Sequence, residues 1–514
     1  MYDLVIVESP AKAKTIEGYL GSGYRVVSSV GHVLDLATSG PGGLGIDVEN
    51  NFEPTYKVIS GKKKVINEIK KLAKDAEKVY IATDPDREGE AIGWHLCLQL
   101  DLDVEDEIRI SFPEITKEAI EKGIKEAHFL DMNLVHSQET RRMIDRIMGF
   151  KLSKLLQKKI KVKSAGRVQS VALQMIVERE NEIRKFVPDE YWKLFAQVDG
   201  LQLDYKDNDK KVSKEIIEDL YNLSNKTNCL RVDEIKIKNK KQTSRLPYTT
   251  STFQQDAINR LGFSSRRAMS MAQKLYEGIE VDGKLEGLIT YMRTDSMRLS
   301  PGFITQTKGY IESEYGPEYI GNYKIGKKKG NVQDAHEAIR PSNVFNTPSK
   351  VKAFLTTEQF KIYQLIWNRT VASLMADAKL ETSSYLFTNN EKVPFKAANT
   401  KVLFDGYQKV FYEEEKEANY EIKYVVDEVI KVKAYEKTQH FTQPKPRYTE
   451  AKLIKKLEEN GVGRPSTYSS IIETLKKRMY VAMESKKFVP TEDGELVTTK
   501  LKEFFSTIVN VDYT

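Results

Sequence analysis

Cysteine is almost absent from this sequence, and long apolar runs are absent altogether. The 514 residues include two cysteines, Cys97 and Cys229, in unrelated surroundings, so neither a disulfide framework nor a cysteine-based zinc site is expected. No apolar run approaches the roughly 18 residues that a membrane span requires. The N-terminus enters an apolar, strand-like run at residues 4–7 without the basic start of a secretory signal. The sequence therefore predicts a cytoplasmic protein without a membrane partner.

The charge balance is only mildly basic. There are 81 basic and 74 acidic side chains, which give a formal net charge of +7 spread over a large surface. Such an excess is compatible with an anionic partner such as nucleic acid but does not require one. Because 514 residues are several times the size of one globular core, we expect three or four domains.

Hydrophobic spacing divides the chain into regions of different type. The first 125 or so residues alternate strand and helix patterns, which predicts an α/β layer with a largely parallel sheet. Helical spacing dominates from about 132 to 186, and residues 192–240 and 380–440 are rich in strand patterns that we expect to pair. Between these strand-rich stretches, helices are predicted at 251–261 and 265–277. A second helix-turn-helix pattern with a following hairpin runs from 449 to 489.

Two acidic motifs follow predicted strands, at the edge where ligands of open α/β sheets gather. Glu8 ends the first strand and precedes a Ser-Pro helix start. The alternative is that Glu8 is simply a charged residue at a strand-to-helix turn, without a functional role. Asp84 and Asp86 flank Pro85, which favours an extended backbone and places both carboxylates on one side. With Glu88 they supply oxygen ligands of the type that Mg²⁺ prefers. The alternative is a solvated acidic loop at a helix N-terminus.

These motifs carry a family resemblance. The segments V-E-S-P-A-K at 7–12 and D-P-D-R-E-G-E at 84–90 together resemble the Toprim domain of type IA DNA topoisomerases. Plain Toprim domains of primases and nucleases share the acids but usually lack the surrounding residues. Further segments that resemble the same family are S-V-G-H at 29–32, F-P-E-I-T at 112–116, S-A-G-R-V-Q-S at 164–170, R-Y-T-E at 447–450 and G-R-P-S-T-Y at 463–468. The resemblance covers most of the chain.

The segment G-L-I-T-Y-M-R-T-D-S at 287–296 resembles the active-site tyrosine segment of that family nearly residue for residue. By itself, one tyrosine among 26 is rarely a nucleophile, and a phenol with a reference pKa of about 10 needs nearby cations or a base. Arg293 projects to the same side as Tyr291 if the segment is extended, and it can stabilise phosphate charge there. The resemblance implies that Tyr291 is the nucleophile, with Glu8 as general acid/base and with Lys12 and Arg293 on the phosphate.

The resemblance also implies ligands and DNA contacts. Mg²⁺ is expected on Glu8, Asp84, Asp86 and Glu88. The residues implied in DNA binding are His32, Arg141, Arg142, Asp145, Arg146, Ser164, Gly166, Arg167, Gln169, Asp295, His336, Arg464 and Thr467. An arginine cluster on a helix is more often a solvated face, and a lone histidine is more often a packed or surface residue. The match of D-A-H-E-A-I-R-P at 334–341 favours the functional interpretation of the histidine.

Three glycine-rich segments do not predict nucleotide sites. G-P-G-G-L-G at 40–45 has dinucleotide-binding spacing, but no strand precedes it and no helix obviously follows. Segments 278–284 and 321–327 match the start of a P-loop, but Leu285 and Lys328 stand where Ser or Thr would bind magnesium. We therefore expect a turn-rich loop at 40–45 and no ATP site.

The family's architecture implies a multidomain α/β and α+β fold. It is a torus in which the Toprim domain faces helical, winged-helix-like domains and the strand-rich stretches form an arch. The expected divisions are a Toprim domain at 1–130 with an inserted loop near 36–62, a helical base domain at 131–190 and 442–514, an arch at 191–245 and 373–441, and the tyrosine domain at 246–372. Family cores usually continue past the position of Thr514, so a truncated base domain is expected.

The implied function is ATP-independent, Mg²⁺-dependent cleavage of one DNA strand, followed by strand passage and religation, which relaxes negative supercoils. The implied partners are single-stranded and negatively supercoiled DNA, and the protein is expected to be monomeric and nucleoid-associated. Two alternatives stay open. A decatenase resembling topoisomerase III shares the cleavage chemistry. A non-enzymatic DNA-binding module accounts for the two helix-turn-helix patterns but leaves the acidic motif unexplained.

Overall fold

The computed structural model describes residues 2–324, 336–411 and 423–514, and its N-terminal layer contains a parallel three-stranded sheet. The elements of this layer are β1 (Asp3–Val7), α1 (Pro10–Leu20), β2 (Tyr24–Ser28), β3 (Leu34–Leu36), β4 (Ile46–Asp47), β5 (Glu53–Pro54), β6 (Tyr56–Val58), α2 (Lys63–Lys74), β7 (Val79–Ile81), α3 (Arg87–Leu100) and α4 (Lys117–Lys125). β1 lies in the middle and pairs in parallel with β2 and β7. The carboxyl ends of β1 and β7 therefore meet at one edge, which places Glu8 beside the acidic loop at 84–90. The expected inserted loop near 36–62 holds two small sheets, β3 with β6 and β4 with β5.

Capping residues determine where the two helices at this edge begin. The Ser9 side chain accepts a hydrogen bond from the Lys12 N–H, and Pro10 occupies the first turn of α1. Asp86 caps α3 by accepting a hydrogen bond from the Gly89 N–H over 2.9 Å. Both helix N-termini carry partial positive charge, so they stabilise the carboxylates at this edge.

Two long helices follow, α5 (Met132–Ile160) and α6 (Arg167–Lys185), as the helical spacing predicts. A strand-rich segment comes next, with β8 (Glu190–Val198), β9 (Leu201–Tyr205), α7 (Lys214–Ser224) and β10 (Cys229–Gln242). The helix α7 was not predicted, since the sequence pattern of this segment indicated strands. Its Ile217 is buried in the apolar cluster of the sheet, so α7 covers one face of that sheet.

The tyrosine block, residues 250–374, lies between the two strand-rich segments. Its elements are α8 (Thr250–Leu261), α9 (Ser265–Glu277), β11 (Ile279–Val281), β12 (Lys284–Glu286), α10 (Pro301–Tyr315), α11 (Pro348–Val351) and α12 (Thr357–Leu374). The first two helices begin and end within one residue of the predicted bounds, because Gly262 ends α8 in the left-handed conformation and Ser264 caps α9. Tyr291 lies in the irregular segment after the β11–β12 hairpin.

The second strand-rich segment completes one sheet with the first. It contains β13 (Ala378–Thr388), β14 (Pro394–Phe404), β15 (Val429–Lys431) and β16 (Ala434–Phe441). The strand order is β15-β10-β13-β14-β9-β8-β16, which confirms the predicted pairing of the two segments. β15 and β16 stand at opposite ends of this order, yet Val432 and Lys433 alone separate them, and such a link spans at most roughly 11 Å. The short link therefore brings the two edge strands close together, and we call this the closed sheet.

The chain returns to helices that pack on α5 and α6. These elements are α13 (Glu450–Glu459), α14 (Tyr468–Lys477), β17 (Val481–Glu484), β18 (Lys487–Pro490) and α15 (Glu492–Phe505), which confirm the predicted helix-turn-helix and hairpin. One apolar cluster joins Leu152 and Val171 to Leu453 and Ile472. We call α5, α6 and these last elements the helical block. Since its two halves are distant in sequence, the chain is nested rather than a string of separate units.

Contacts between these parts close the chain into a ring. α3 of the N-terminal layer packs on α5 of the helical block, and the closed sheet connects the helical block to the tyrosine block. The tyrosine block in turn packs on α1 through α9 and β12, and on α13 through α8. This closure brings Tyr291 to the acidic edge of the N-terminal sheet.

Candidate active site and DNA-binding cleft

Tyr291 lies against the acidic loop that precedes it by 205 residues. Its phenol donates a hydrogen bond to Asp86 Oδ2 over 2.6 Å, and the tyrosine is 3% exposed. The Tyr291 backbone N–H donates to the Pro113 carbonyl over 2.8 Å, which pairs the tyrosine segment with the F-P-E-I-T segment. Arg293 Nη1 lies 3.7 Å from the same Asp86 carboxylate. Tyr291 and Arg293 therefore share one carboxylate partner.

Lys12 bridges the two carboxyl groups at the ends of β1 and β7. Its Nζ lies 2.9 Å from Glu8 Oε1 and 3.2 Å from Asp84 Oδ1, and the lysine is fully buried. Burial raises the pKa of Glu8 to about 8, although Lys12 opposes the shift. Burial also acts on Asp84, but there the charges of Lys12 and Arg293 and the hydrogen bonds with Glu8 and Lys12 together outweigh burial and lower the pKa of that carboxyl. Near neutral pH, Glu8 therefore holds a proton while Asp84 is ionised, which is an arrangement suited to acid/base chemistry.

Glu88 faces two other polar groups. His32 Nε2 lies 3.5 Å from Glu88 Oε2, and Gln138 Nε2 donates to the same oxygen over 3.0 Å. Burial by itself would raise the pKa of Glu88, but the hydrogen bonds from His32 and Gln138, together with the charges of His32 and Arg141, outweigh burial and lower this pKa to about 2. Glu88 is therefore ionised at neutral pH.

The carboxylates of the acidic loop fit Mg²⁺ in chemical type. Asp84 and Glu88 are ionised oxygen donors, and Mg²⁺ commonly uses one or two carboxylates together with water and phosphate. In the parts of the chain that the structure describes, no group of three or more His, Cys, Asp or Glu side chains converges as a metal cage. The donor set therefore suits an ion shared with a phosphate ligand.

The Tyr291 phenol is neutral in this setting. Burial and the negative charges of Asp84 and Asp86 raise the pKa of Tyr291 well above its ordinary value, while Arg293 opposes them. A neutral phenol is a weak nucleophile until its proton is removed. Asp86 already accepts the hydrogen bond of the phenol, so this carboxylate can take the proton.

His336 connects the tyrosine with the acidic loop from a third direction. Its ring packs edge-on against Tyr291, with ring centroids 5.8 Å apart, and its Nε2 is hydrogen-bonded to the Pro85 carbonyl. His336 is 7% exposed, so the histidine predicted from its motif lies inside the site. The first two residues of the motif, 334 and 335, lie outside the described residues.

A basic cleft leads to the site between the N-terminal layer and the helical block. Its volume is about 600 Å³, and four arginines line it: Arg87, Arg141, Arg167 and Arg464. A cavity of about 80 Å³ continues the cleft to the acidic loop, and its lining includes Asp86, Arg293, Asp295 and His336. Burial and the charges of Arg141 and Arg464 lower the pKa of Arg87, which means that these cations repel one another. An anionic strand relieves this repulsion, so the cleft is the candidate path for DNA.

Other predicted residues hold the walls of the cleft. Asp145 lies 3.2 Å from Arg167 and 3.8 Å from Arg141, so one carboxylate orients two of the arginines. Thr467 Oγ1 accepts a hydrogen bond from the Arg464 N–H over 2.8 Å. Asp145 therefore orients the side chains of Arg141 and Arg167, and Thr467 fixes the backbone that carries Arg464.

The loop before α6 is built from three further predicted residues. The Ser164 N–H donates to the Tyr480 hydroxyl over 2.9 Å, and Gly166 caps α6. Gln169 folds over the glycine so closely that a Cβ there would lie 2.3 Å from Gln169 Oε1. The loop therefore places Arg167 at the cleft without Ser164, Gly166 or Gln169 lining the 600 Å³ volume.

Arg142 and Arg146 point elsewhere. Arg142 forms a bidentate ion pair with Asp35, with distances of 2.8 and 2.9 Å. Arg146 is 6% exposed and donates to the Ala37 carbonyl over 3.2 Å. Both arginines fasten the inserted segment to α5. Of the predicted cluster, Arg141 is therefore the member that lines the 600 Å³ cleft.

The fold brings two residues to the site that sequence reasoning misses, Arg87 and Tyr276. Arg87 lines both cavities. The sequence feature that could have indicated it is a cation inside a run of acidic residues. Tyr276 packs against Tyr291 with ring centroids 5.3 Å apart. No short motif marks Tyr276, because its role depends on how α9 packs.

Two of the three glycine-rich segments form turns. In 40–45, all four glycines have positive φ, and 278–284 includes the β11–β12 turn. Segment 321–327 runs into residues that are not described.

Within the described ranges, no helix has the length and apolar character needed to cross a membrane.

Comparison with known proteins identifies the family. Residues 130–514 match the family model described as DNA topoisomerase, and residues 3–115 match the Toprim domain. The chain is also similar to full-length topoisomerase I from Thermotoga maritima, solved in a monoclinic crystal form. That similarity covers 99% of this chain and 84% of the solved one, with 39% identity and a TM-score of 0.90.

These matches confirm the predicted multidomain fold with a Toprim layer, and they confirm that the protein is an isomerase. They rule out the alternative of a non-enzymatic winged-helix protein. The chain belongs to the bacterial type IA DNA topoisomerases.

Proposed function

We propose that this protein cleaves one strand of DNA through Tyr291, passes a second strand through the break and reseals it, so that negative supercoils are relaxed. The hydrogen bond of 2.6 Å from the Tyr291 phenol to Asp86 is the observation that supports this most directly. It joins the predicted nucleophile to the predicted metal-binding loop. Arg293, beside the same carboxylate, adds a cation of the kind that stabilises phosphate charge.

In the proposed cleavage step, the Tyr291 oxygen forms a bond to phosphorus, and the bond from phosphorus to the 3′ oxygen breaks. Asp86 takes the phenol proton, and protonated Glu8 gives a proton to the leaving 3′ oxygen. Lys12 and Arg293 stabilise the charge on the phosphate. The products are a 5′-phosphotyrosine and a free 3′-hydroxyl. Because the phosphotyrosine conserves the bond energy, religation needs no ATP.

Dependence on Mg²⁺ is part of this proposal. The Toprim domain is a metal-binding domain, and here Asp84, Asp86 and Glu88 would hold the ion, with Glu8 as a further ligand once it has given up its proton. Bound Mg²⁺ supplies positive charge beside the DNA phosphate. The lowered pKa values of Asp84 and Glu88 support this assignment, since both side chains stay ionised at neutral pH.

Single-stranded DNA is proposed to follow the basic cleft to Tyr291. The residues that contact its phosphates are Arg87, Arg141, Arg167 and Arg464, and Asp295 and His336 lie where the strand reaches the nucleophile. The other predicted DNA-binding residues are proposed to act indirectly. Asp145, Ser164, Gly166, Gln169 and Thr467 support the elements that line the cleft, His32 contacts Glu88, and Arg142 and Arg146 fasten the inserted segment to α5. Binding through arginine–phosphate contacts weakens as salt concentration rises.

The domain divisions expected from the sequence are part of the proposal. The Toprim domain at 1–130 and the base domain at 131–190 and 442–514 hold the 3′ end of the cut strand. The tyrosine domain at 246–372 carries the covalent 5′ end, and the arch at 191–245 and 373–441 connects them. A monomer acting on negatively supercoiled DNA in the nucleoid is sufficient for this cycle.

The deciding experiment detects the covalent intermediate. A 3′-labelled single-stranded oligonucleotide is incubated with the protein and Mg²⁺ without ATP, and the mixture is then denatured. We expect the label on the protein, whereas a 5′-labelled oligonucleotide releases a shorter free fragment. Tyr291→Phe removes the adduct, and Tyr363→Phe is a matched control, because that buried hydroxyl donates to a backbone carbonyl instead. An adduct that persists in Tyr291→Phe overturns the proposal.

A second assay addresses the decatenase alternative. Relaxation of negatively supercoiled plasmid is compared with separation of linked DNA circles at equal protein concentration. We expect relaxation to be the faster reaction, and faster decatenation contradicts the supercoil-relaxing assignment while leaving the cleavage chemistry intact.

A further inference from the structure

Tyr276 is a fully buried tyrosine in the last turn of α9, directly beside the nucleophile. Its ring meets the Tyr291 ring edge-on, with centroids 5.3 Å apart and an interplanar angle of 63°. Lys12 Nζ lies 6.0 Å from the centroid of the Tyr276 ring. Tyr276 therefore packs between the nucleophile and the cation assigned to the phosphate.

The Tyr276 hydroxyl differs from other buried phenols in the tyrosine block and just before it. It has no hydrogen-bond partner among the described residues. By contrast, the Tyr248 hydroxyl donates to Asp256 over 2.7 Å, and the Tyr363 hydroxyl donates to the Asn346 carbonyl. A buried hydroxyl without a partner lowers stability, so phenylalanine would serve at least as well here if packing were the whole role of Tyr276.

Acidic side chains surround this hydroxyl. Burial is the main cause that raises the pKa of Tyr276 well above its ordinary value, and the carboxylates of Asp84, Glu8 and Glu277 add to it. The phenol therefore keeps its proton and is available as a donor. Glu8 and Asp84 are at present satisfied by Lys12 rather than by Tyr276.

The backbone around Tyr276 is held on two sides. Thr15 Oγ1 of α1 donates to the Glu277 carbonyl over 2.7 Å, and the Leu288 N–H donates to the Leu275 carbonyl over 2.7 Å. α1 also carries Lys12 in its first turn, and Leu288 belongs to the segment that leads to Tyr291. Tyr276 is thereby fixed relative to both the nucleophile and the bridging lysine.

We propose that Tyr276 is a positioning residue for strand cleavage, whose ring orients Tyr291 and whose hydroxyl donates to the Glu8 and Asp84 carboxylates when Lys12 turns to the bound phosphate. The inference rests on the proposed role of Tyr291 as nucleophile. It explains why a hydroxyl is present at a position where the described residues offer it no partner. Tyr276 orients the nucleophile Tyr291 and the acid Glu8 without contacting the phosphorus or the oxygens that exchange at it.

Tyr276→Phe tests the proposal, since it keeps the ring and removes only the unpaired hydroxyl. The rate of adduct formation is measured in a single turnover with saturating 3′-labelled oligonucleotide and Mg²⁺, together with the oligonucleotide Kd and the thermal midpoint. We expect the rate to fall about tenfold, the effect of one hydrogen bond in the cleavage step, with Kd within about twofold. The thermal midpoint stays equal or rises.

Tyr363→Phe is the matched control and should give the opposite result. It removes a paired hydroxyl far from the acidic loop in sequence, so the thermal midpoint falls while the cleavage rate stays within about twofold. A Tyr276→Phe rate within twofold of wild type overturns the proposal, and so does a rate loss accompanied by an equal loss in DNA affinity. Failure of wild-type protein to form any adduct would instead overturn the proposed function.

Discussion

The tyrosine block contacts the N-terminal layer through a largely apolar interface and the helical block through a polar one. In the first interface, the Tyr291 N–H is bonded to the Pro113 carbonyl, and one apolar cluster continues across the boundary. Arg340 is buried there at 3% exposure and lies 2.8 Å from Glu114 of the N-terminal layer. Opening this interface exposes apolar surface and separates a buried ion pair.

The second interface depends on hydrogen bonds between polar side chains. Its hydrogen bonds join Ser251 to Glu458 (2.8 Å), Gln254 to Ser469 (3.0 Å) and the Ser265 N–H to Glu450 (2.9 Å). Water can replace these partners when the surfaces separate, so each bond contributes modestly to stability. The comparison teaches that the first interface fixes Tyr291 beside the acidic loop, whereas the second is held by hydrogen bonds that water can replace. Strand passage in the proposed cycle requires both to open.

The largest expected effect comes from breaking the buried ion pair of the first interface. Arg340→Met leaves Glu114 and Glu337 buried without their cation, a change that typically costs about 3–5 kcal/mol. We expect a lower urea midpoint and loss of most adduct, because the segment beside Glu114 pairs with Tyr291. Arg298→Met is the control, since Arg298 is an exposed arginine in the segment that follows Tyr291. Equal destabilisation by both variants would contradict the contrast between the interfaces.

A smaller effect is expected where α9 meets α1 in the same interface. Gly278 has φ of +132°, and a Cβ there would lie 2.3 Å from Thr15 Oγ1. Gly278→Ala should destabilise the protein by about 1–3 kcal/mol through backbone strain and overpacking, and should slow adduct formation. Gly283→Ala is the control for backbone strain alone, because Gly283 has φ of +78° and an added Cβ there would meet no atom within 4 Å. If the two variants match in cleavage rate, the α1–α9 contact does not position the nucleophile.

The smallest effect is expected in the second interface. Ser265→Ala removes the side-chain hydrogen bond to Glu450 and should cost about 1–2 kcal/mol. Cleavage of a single-stranded oligonucleotide should be unchanged, while amide hydrogen exchange at the start of α9 becomes faster. Ser270→Ala, at an exposed position of the same helix, should leave both measurements as in wild type. A cleavage defect in Ser265→Ala would show that the second interface also positions Tyr291.

Much of the fold could be predicted because its signals are local. The bounds of α8 and α9 follow from helical spacing, from the glycine that ends one helix and from the serine that caps the next. The helix α7 was missed because one amphipathic helix inside a strand-rich stretch gives a short signal. Closure of the seven-stranded sheet was also beyond prediction, since it depends on pairing between distant residues, such as Ala434 with Gln197 and Phe441 with Glu190.

The site divides in the same way. Glu8, Asp84 and Asp86 could be singled out because acids at strand ends recur in short motifs, and Tyr291 because its segment resembles a known one. Arg146 looked equally suitable for DNA, yet the inserted segment folds over it and buries it. No local pattern distinguishes a solvated helix face from one that another segment covers.

By itself, the sequence determined which side chains have the chemistry for the reaction and where most helices and strands begin. Tertiary structure decided which of those side chains meet. The phenol of Tyr291 reaches Asp86 because the N-terminal layer and the tyrosine block share one apolar cluster. Tyr276 lies beside Tyr291 for the same reason, since it belongs to that cluster. Such contacts depend on the burial of apolar faces that are distant in sequence, and a local sequence pattern does not indicate which faces will pack together.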